Sequence, residues 1–138
     1  MKRTLAALLA LCTLFAAFSC LGGDTFAKED WSYTLTDGVL TVSGSGPVGS
    51  DDSPLDFYPW HAQREVIRSV IVEDGITALG KNCFSTCPNL RTAVLGGDMA
   101  HLGMDAFAYC GSLTELTFHH PITYIGQGTV YLSGNLSK

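Results

Sequence analysis

The chain has 138 residues, with 8 Lys and Arg against 13 Asp and Glu, which gives a formal net charge of −5. This length fits one small domain. The acidic balance excludes nucleic acid as a partner, because phosphate binding needs several Lys or Arg side chains that displace counterions. Hydrophobic residues make up 46% of the chain and charged residues 15%, which indicates a protein that buries a core rather than a disordered chain.

The first element in chain order is a secretory signal peptide at residues 1–27. A basic pair at residues 2 and 3 precedes a run from Leu5 to Phe18 that is apolar apart from Thr13. The run is too short for a comfortable bilayer span, which takes about 20 residues. It therefore predicts export with cleavage after Ala27, no membrane span, and a protein that is secreted or held at the cell surface.

An alternative processing site precedes Cys20. The sequence there resembles a bacterial lipobox, although Ala17 and Phe18 stand where that motif prefers Leu and a small residue. A single acyl chain gives only weak membrane anchoring. Free secretion and a lipoprotein anchored at Cys20 both stay open.

Residues 28–66 predict a β-rich cap followed by an acidic loop. Apolar and polar residues alternate over Trp31–Leu35, and Asp37-Gly38 is typical of a hairpin turn. The loop at residues 47–59 is acidic, but it lacks the alternating oxygen ligands and the late Glu of a calcium-binding loop. We interpret this loop as a solvated turn.

Residues 67–138 repeat with a period of 23. Each unit contains the L-x-x-L-x-L pattern of a leucine-rich repeat, whose last two apolar positions should face the core from a short strand. These inward positions are Val70, Val72, Ala93, Leu95, Leu116 and Phe118. One further repeat position holds glycine in every unit, at Gly80, Gly103 and Gly126.

The segments Gly80–Cys87 and Gly103–Cys110 predict one or two turns of helix, with Phe, the residue before it and Cys facing inward. We assign the glycine position to the turn that enters each helix, where Gly tolerates the backbone best. The fold class is therefore an α/β repeat solenoid. The hairpin within residues 28–66 would cover its first apolar face.

With these residues in place, the chain resembles the bacterial leucine-rich repeats of the BspA-like surface-antigen type. Their repeat reads roughly V-x-I-x-x-x-V-x-x-I-G-x-x-A-F-x-x-C-x-x-L, and residues 70–90 and 95–113 match it. The W-x-Y, G-x-L-x-I-x-G-x-G and P-W-x-x-x-R patterns of these proteins match at Trp31, Gly38 and Pro59. The resemblance implies a leucine-rich repeat protein of a bacterial surface.

The third unit departs from the family pattern at Gly128, Thr129, Val130 and Ser133. Its remaining apolar residues would lie beside Phe118 and Tyr124 at an end of the stack that nothing covers. Unpaired strand edges and exposed apolar patches favour association. We therefore expect self-association through the C-terminal repeat.

Three cysteines lie in the repeats, at Cys83, Cys87 and Cys110. Cys87 and Cys110 share a repeat position, so they would lie one coil apart and within reach of a disulfide in an exported protein. Side chains in one position point the same way, however, and the family pattern places this Cys as a small core residue. We favour buried, reduced thiols, and a zinc site would lack a fourth ligand.

Two functions from different classes fit these patterns, and the favoured one requires no cofactor. The first is a noncatalytic recognition module that binds a protein or glycan partner through outward strand residues. These residues are Ser69, Ile71, Thr92, Val94, Glu115 and Thr117. The alternative is a small exported hydrolase or metalloenzyme that uses His119 and His120. Both histidines fall just after a strand, where exposed polar residues are usual.

Overall fold

The structure is a computed structural model that describes residues 30–134 and 136. Its strands, in chain order, are β1 (Trp31–Thr36), β2 (Val39–Gly44), β3 (Gly46–Val48), β4 (Ser69–Val72), β5 (Ile76–Leu79), β6 (Thr92–Leu95), β7 (His101–Leu102), β8 (Glu115–Phe118) and β9 (Tyr124–Ile125). Two single-turn 3-10 helices lie at Leu55–Phe57 and His61–Gln63. No helix in the described part of the chain is long and apolar enough to span a bilayer.

The strands form two sheets. The first sheet has the order β1-β2-β4-β6-β8 and the second has the order β3-β5-β7-β9. Within both sheets the neighbouring strands are parallel, except for the antiparallel hairpin of β1 and β2. The hairpin turns at Asp37 and Gly38, as the sequence predicts, and their φ angles of 52° and 79° are both left-handed.

Each coil of the chain contributes one strand to each sheet, and the pairing joins equivalent repeat positions. In the first sheet, Ser69 pairs with Thr92, and Thr92 pairs with Glu115. In the second sheet, His101 lies between Ala78 and Tyr124. The repeat pattern of the sequence does not predict this second sheet.

The α part of the α/β prediction is wrong for the described residues. The segments Gly80–Cys87 and Gly103–Cys110 form turns, with left-handed residues where a helix would need right-handed ones. The first segment has φ angles of 63° at Asn82 and 59° at Thr86. Equivalent positions follow in the next coils, at Asp105, Tyr109, Gly128 and Leu132.

These turns form a third hydrogen-bonded side of the stack. Phe84 donates its N–H to the Ala106 carbonyl of the next coil at 2.7 Å, whereas the Ser85 N–H stays within its own coil and donates to Asn82 at 3.1 Å. Alternate N–H groups therefore point to the neighbouring coil, which a helix would not allow because it directs every N–H to its own preceding turn. The expected inward residues are nonetheless buried: Cys83, Phe84, Cys87, Ala106, Phe107 and Cys110.

Stacked aromatic rings run along the core. Trp60 packs between Tyr58 and Phe84 at centroid distances of 5.3 and 5.4 Å, and Phe84 packs on Phe107 at 5.3 Å. The Trp60 indole N–H also donates to the carbonyl of Cys83 at 2.9 Å. The segment before the first repeat thus covers that repeat with aromatic surface and satisfies part of its backbone.

Glycine occupies this repeat position for a different reason from the one that the sequence predicts. Gly80, Gly103 and Gly126 are not among the residues with positive φ. A Cβ at Gly103 would lie 2.6 Å from the backbone of Gly80, and one at Gly126 would lie 2.5 Å from the backbone of Met104. Glycine is required here because adjacent coils approach closely, and not because the backbone is left-handed.

The expected inward strand residues are confirmed in the first two units and in part in the third. Val70, Val72, Ala93 and Leu95 are buried, and Leu116 is partly buried and packs against the core, but Phe118 is 47% exposed. The reason is the position of β8 at the edge of the first sheet, where no further described strand packs over it.

Candidate recognition surface

The structure brings the six predicted binding residues together on the outward side of β4, β6 and β8. They form two straight rows across the parallel strands: Ser69, Thr92 and Glu115 in one row, and Ile71, Val94 and Thr117 in the other. Neighbouring strands in a sheet lie about 4.8 Å apart, so each row is continuous. We call this set the outward face. Its role in binding stays a prediction.

The outward face extends onto the hairpin. Val39 continues the first row next to Ser69, and Thr41 continues the second row next to Ile71. Every residue so far named on this face is a hydroxyl or aliphatic side chain except Glu115. The face is therefore a nearly uncharged surface on hydrogen-bonded strands.

Hydrogen bonds hold several of these side chains in place. The hydroxyls of Ser69 and Thr92 are 2.5 Å apart, and the Thr117 hydroxyl donates to the Glu115 carboxylate at 3.1 Å. Ile71 is 40% exposed, so its apolar side chain is accessible to a ligand near the middle of the face. Such an arrangement offers shape, hydroxyl groups and apolar surface to a ligand.

The two histidines of the alternative hypothesis lie elsewhere. His119 and His120 are exposed in the bend that follows β8. Among the described residues, no hydrogen bond or ion pair reaches either imidazole, and no group of three or more His, Cys, Asp or Glu side chains is arranged to hold a metal ion. Nothing in this geometry favours the hydrolase or metalloenzyme alternative.

A third histidine lies in a groove on the second sheet, which the sequence analysis missed. His101 Nε2 lies 3.1 Å from Asp51 Oδ1, and the imidazole stacks on Tyr124 with a centroid distance of 4.4 Å. The groove has a volume of about 460 Å³, and the small side chain of Ala78 lies at its floor between β3 and β7. Asp51, expected in a solvated turn, is thus in contact with the repeat.

A second missed feature is a cleft on the turn side of the last two coils. We call it the tyrosine cleft. It has a volume of about 410 Å³ and is lined by Met104, Asp105, Tyr109, Gln127, Gly128 and Tyr131. It could not be found from the sequence, because the expected helix would have placed these side chains differently. The signal in the sequence is the repeat spacing that brings residues 105 and 128 to equivalent positions.

The three cysteines are free and buried. Burial raises the pKa of the Cys83 thiol well above its usual value. A hydrogen bond between Cys87 and Cys110, together with burial, raises the pKa of Cys87, and the same hydrogen bond lowers the pKa of Cys110. Cys110 Sγ also lies 3.2 Å from the Phe84 carbonyl oxygen. These thiols are core groups without access to a substrate.

Residues 62–138, more than half of the chain, match the family model described as a BspA type leucine rich repeat region (6 copies). A solved leucine-rich repeat protein from Eubacterium ventriosum aligns with 72% of this chain at 30% sequence identity and a TM-score of 0.66. The alignment covers 26% of that protein, so this chain spans about a quarter of its length.

A solved leucine rich cell surface protein from Faecalibacterium prausnitzii aligns with 80% of this chain and 52% of its own, at 14% identity and a TM-score of 0.26. That superposition is too poor for a comparison of folds. No curated protein sequence matches the chain at a significant level.

Proposed function

Because the chain belongs to the BspA-type leucine-rich repeat family, we propose that it is an exported, noncatalytic recognition module whose outward face binds a protein or glycan partner. The observation that carries this proposal is the pair of continuous rows across β4, β6 and β8. A ligand that contacts both rows meets side chains already held by paired strands. Such preorganisation lowers the entropy cost of binding.

The proposal includes export. The signal peptide at residues 1–27 and the alternative lipid site at Cys20 lie outside the described residues. Expression of the full chain in a bacterial host should yield an exported form whose first residue is Lys28, or a lipid-modified form that begins at Cys20. Mass spectrometry of the exported protein distinguishes the two, and Cys20→Ser abolishes only the second. An intact N-terminus on the cytoplasmic side would contradict export.

In the proposed organisation, residues 28–66 cap the first coil and residues 67–138 form a period-23 repeat solenoid. The aromatic cover that Tyr58 and Trp60 place on the first repeat supports a capping role. The last coil has no such cover within the described residues. Its large exposed apolar side chains are Phe118, Tyr124, Ile125, Val130, Tyr131 and Leu132. We propose that this end mediates self-association.

The binding proposal is tested on arrays of glycans and of purified secreted and cell-surface proteins. The paired variants are Ile71→Lys, on the outward face, and Thr77→Lys, on the exposed side of β5. A ligand of the outward face should bind the wild type and the Thr77 variant but lose affinity for the Ile71 variant. Absence of any ligand, or equal binding by both variants, would refute the proposal.

A further inference from the structure

The tyrosine cleft lies on a side of the stack away from both sheets, so an inference about it is independent of the outward face. Its two aromatic walls come from different coils. Tyr109 and Tyr131 meet edge to face, with ring centroids 5.7 Å apart and planes at 86°. Both side chains stay half exposed, at 50% and 55%. Ring surface is therefore open to a ligand.

Backbone hydrogen bonds hold the two walls together. The Tyr109 N–H donates to the Tyr131 carbonyl at 2.8 Å, and the Asp105 N–H donates to the Gln127 carbonyl at 3.1 Å. Asp105 and Tyr109 are both left-handed residues, with φ angles of 56° and 57°. The lining residues are thus placed by the turn ladder that joins the coils, and the cleft exists before any ligand binds.

The cleft contains the carboxylate of Asp105. Asp105 is partly buried, and a Cβ on Gly128 would collide with its Oδ1, so the carboxylate lies against the bare backbone of that glycine. No ion pair joins Asp105 to another described residue. No other residue that lines the cleft is charged, so the lining carries the single negative charge of Asp105.

We propose that the tyrosine cleft binds a cationic side chain, Arg or Lys, of a partner polypeptide. The face of a tyrosine ring carries negative charge density and attracts a guanidinium or ammonium group. The Asp105 carboxylate supplies a charged acceptor, and the Gln127 amide oxygen supplies a second acceptor at the rim. A volume of about 410 Å³ accommodates one such side chain with its aliphatic stem. A neutral sugar would pack against the tyrosine rings but would have no electrostatic attraction to the Asp105 carboxylate.

The test is a titration of the mature protein, monitored by tyrosine fluorescence or NMR, with the peptide Gly-Arg-Gly-Arg-Gly. The peptide Gly-Ala-Gly-Ala-Gly and methyl hexosides serve as uncharged probes. The arginine peptide should bind, with an affinity that falls as salt is added, and the uncharged probes should not. Binding of the hexosides in place of the arginine peptide would overturn the proposal in favour of a glycan site.

Each substitution introduces the residue that another coil of the chain has at the equivalent repeat position. Asp105→Asn copies Asn82, which has the same left-handed backbone with φ 63°, and Tyr131→Ser copies the repeat position of Ser85. Each should weaken binding of the arginine peptide by about fivefold or more. Glu73→Gln, a change of equal charge at an exposed residue that does not line the cleft, should bind as the wild type does.

Unchanged denaturation midpoints would show that the variants remain folded. Equal binding by Asp105→Asn and the wild type would overturn the proposal. Ile71→Lys, which tests the outward face, does not touch the cleft, so the two proposals fail separately.

Discussion

Asp74 and Asp98 each bind the backbone of the other's coil. The Asp98 carboxylate accepts a hydrogen bond from the Gly75 N–H at 2.8 Å, and the Asp74 carboxylate accepts one from the Gly97 N–H at 2.6 Å. Both contacts lie at the corner where the chain passes from the first sheet to the second. Charged acceptors form stronger hydrogen bonds than neutral ones, so the pair fixes the stacking of two adjacent coils.

Removal of one of these carboxylates should destabilise the stack. Asp98→Ala leaves the Gly75 N–H without its acceptor, and we expect the free energy of unfolding to fall by about 1 kcal/mol because the site is exposed to water. Urea denaturation measures the change. Glu73→Ala is the control, since Glu73 is also exposed and makes no side-chain hydrogen bond to a described residue. Equal effects of the two variants would contradict the role of Asp98.

Phe107 should be among the most sensitive positions of the core. The side chain is fully buried and stacks on Phe84. Phe107→Ala should lower the free energy of unfolding by about 3 to 5 kcal/mol, through lost burial and the cavity that remains. Phe118→Ala should cost less than about 1 kcal/mol because Phe118 is 47% exposed. A denaturant midpoint unchanged in the Phe107 variant would mean that the core is placed wrongly.

The close approach of coils at the glycine position predicts a difference between two glycines of the same turn region. Gly103→Ala places a Cβ 2.6 Å from the backbone of Gly80, and should cost about 1 to 3 kcal/mol as the coils move apart. Gly111→Ala meets no atom within 4 Å and should change stability by less than about 1 kcal/mol. Thermal unfolding of both variants tests this. Similar melting temperatures for the two would refute the steric explanation.

The raised pKa of Cys83 predicts a pH dependence. The buried thiol stays protonated in the folded protein, whereas in the unfolded chain it ionises near pH 8.5. The stability contributed by this group is therefore complete below about pH 8 and is lost as the pH rises above that value.

Cys83→Ala copies Ala106 of the next coil and removes this contribution. The urea midpoint of this variant should fall less between about pH 7.5 and pH 9.5 than that of the wild type. The control variant Val66→Ala, at an exposed position, should follow the wild-type pH dependence. A decline that is the same in all three proteins would rule out Cys83 as its source.

The exposed end of the stack predicts self-association of the protein. Phe118 and Ile125 are 47% and 60% exposed at the edges of the two sheets, where paired strands end. Sedimentation at high micromolar concentration should show dimers or larger species, and Phe118→Lys should shift the protein toward monomer. Ile71→Lys, away from this end, should leave the mass unchanged. A wild-type monomer at that concentration would show that the last coil needs no partner.

The last coil also shows how polar substitutions are accommodated. Ser133, at the repeat position of Cys87 and Cys110, is buried and donates to the Phe107 carbonyl, and it accepts the Cys110 N–H at 3.2 Å. Thr129, at the position of Cys83 and Ala106, lies with its hydroxyl 2.7 Å from the Gly126 carbonyl of its own coil and 3.1 Å from the Gly103 carbonyl of the preceding coil. These departures from the repeat pattern satisfy backbone groups of the preceding coil.

Much of the first sheet follows from the sequence by itself. The alternation around Val70 and Val72 identifies a strand and its buried side, because side chains in a strand point alternately to opposite faces. The outward residues, Ser69 and Ile71 among them, follow from the same alternation. Asp37-Gly38 identifies the hairpin, because few residue pairs tolerate the two left-handed angles of its turn.

The backbone conformation of the other two sides of each coil, the second sheet and the turns, was decided only by the tertiary structure. Strands as short as His101–Leu102 carry no measurable alternation, and they exist because the neighbouring coils pair with them. Inward residues at Cys83, Phe84 and Cys87 suit a helical turn and the observed left-handed turn equally well. The turn with left-handed residues forms because its backbone N–H groups donate hydrogen bonds to the next coil, which a helical turn would not allow. The contacts of Asp51 with His101 and of Tyr109 with Tyr131 join different coils, and local sequence patterns do not specify such contacts because they depend on how the coils stack.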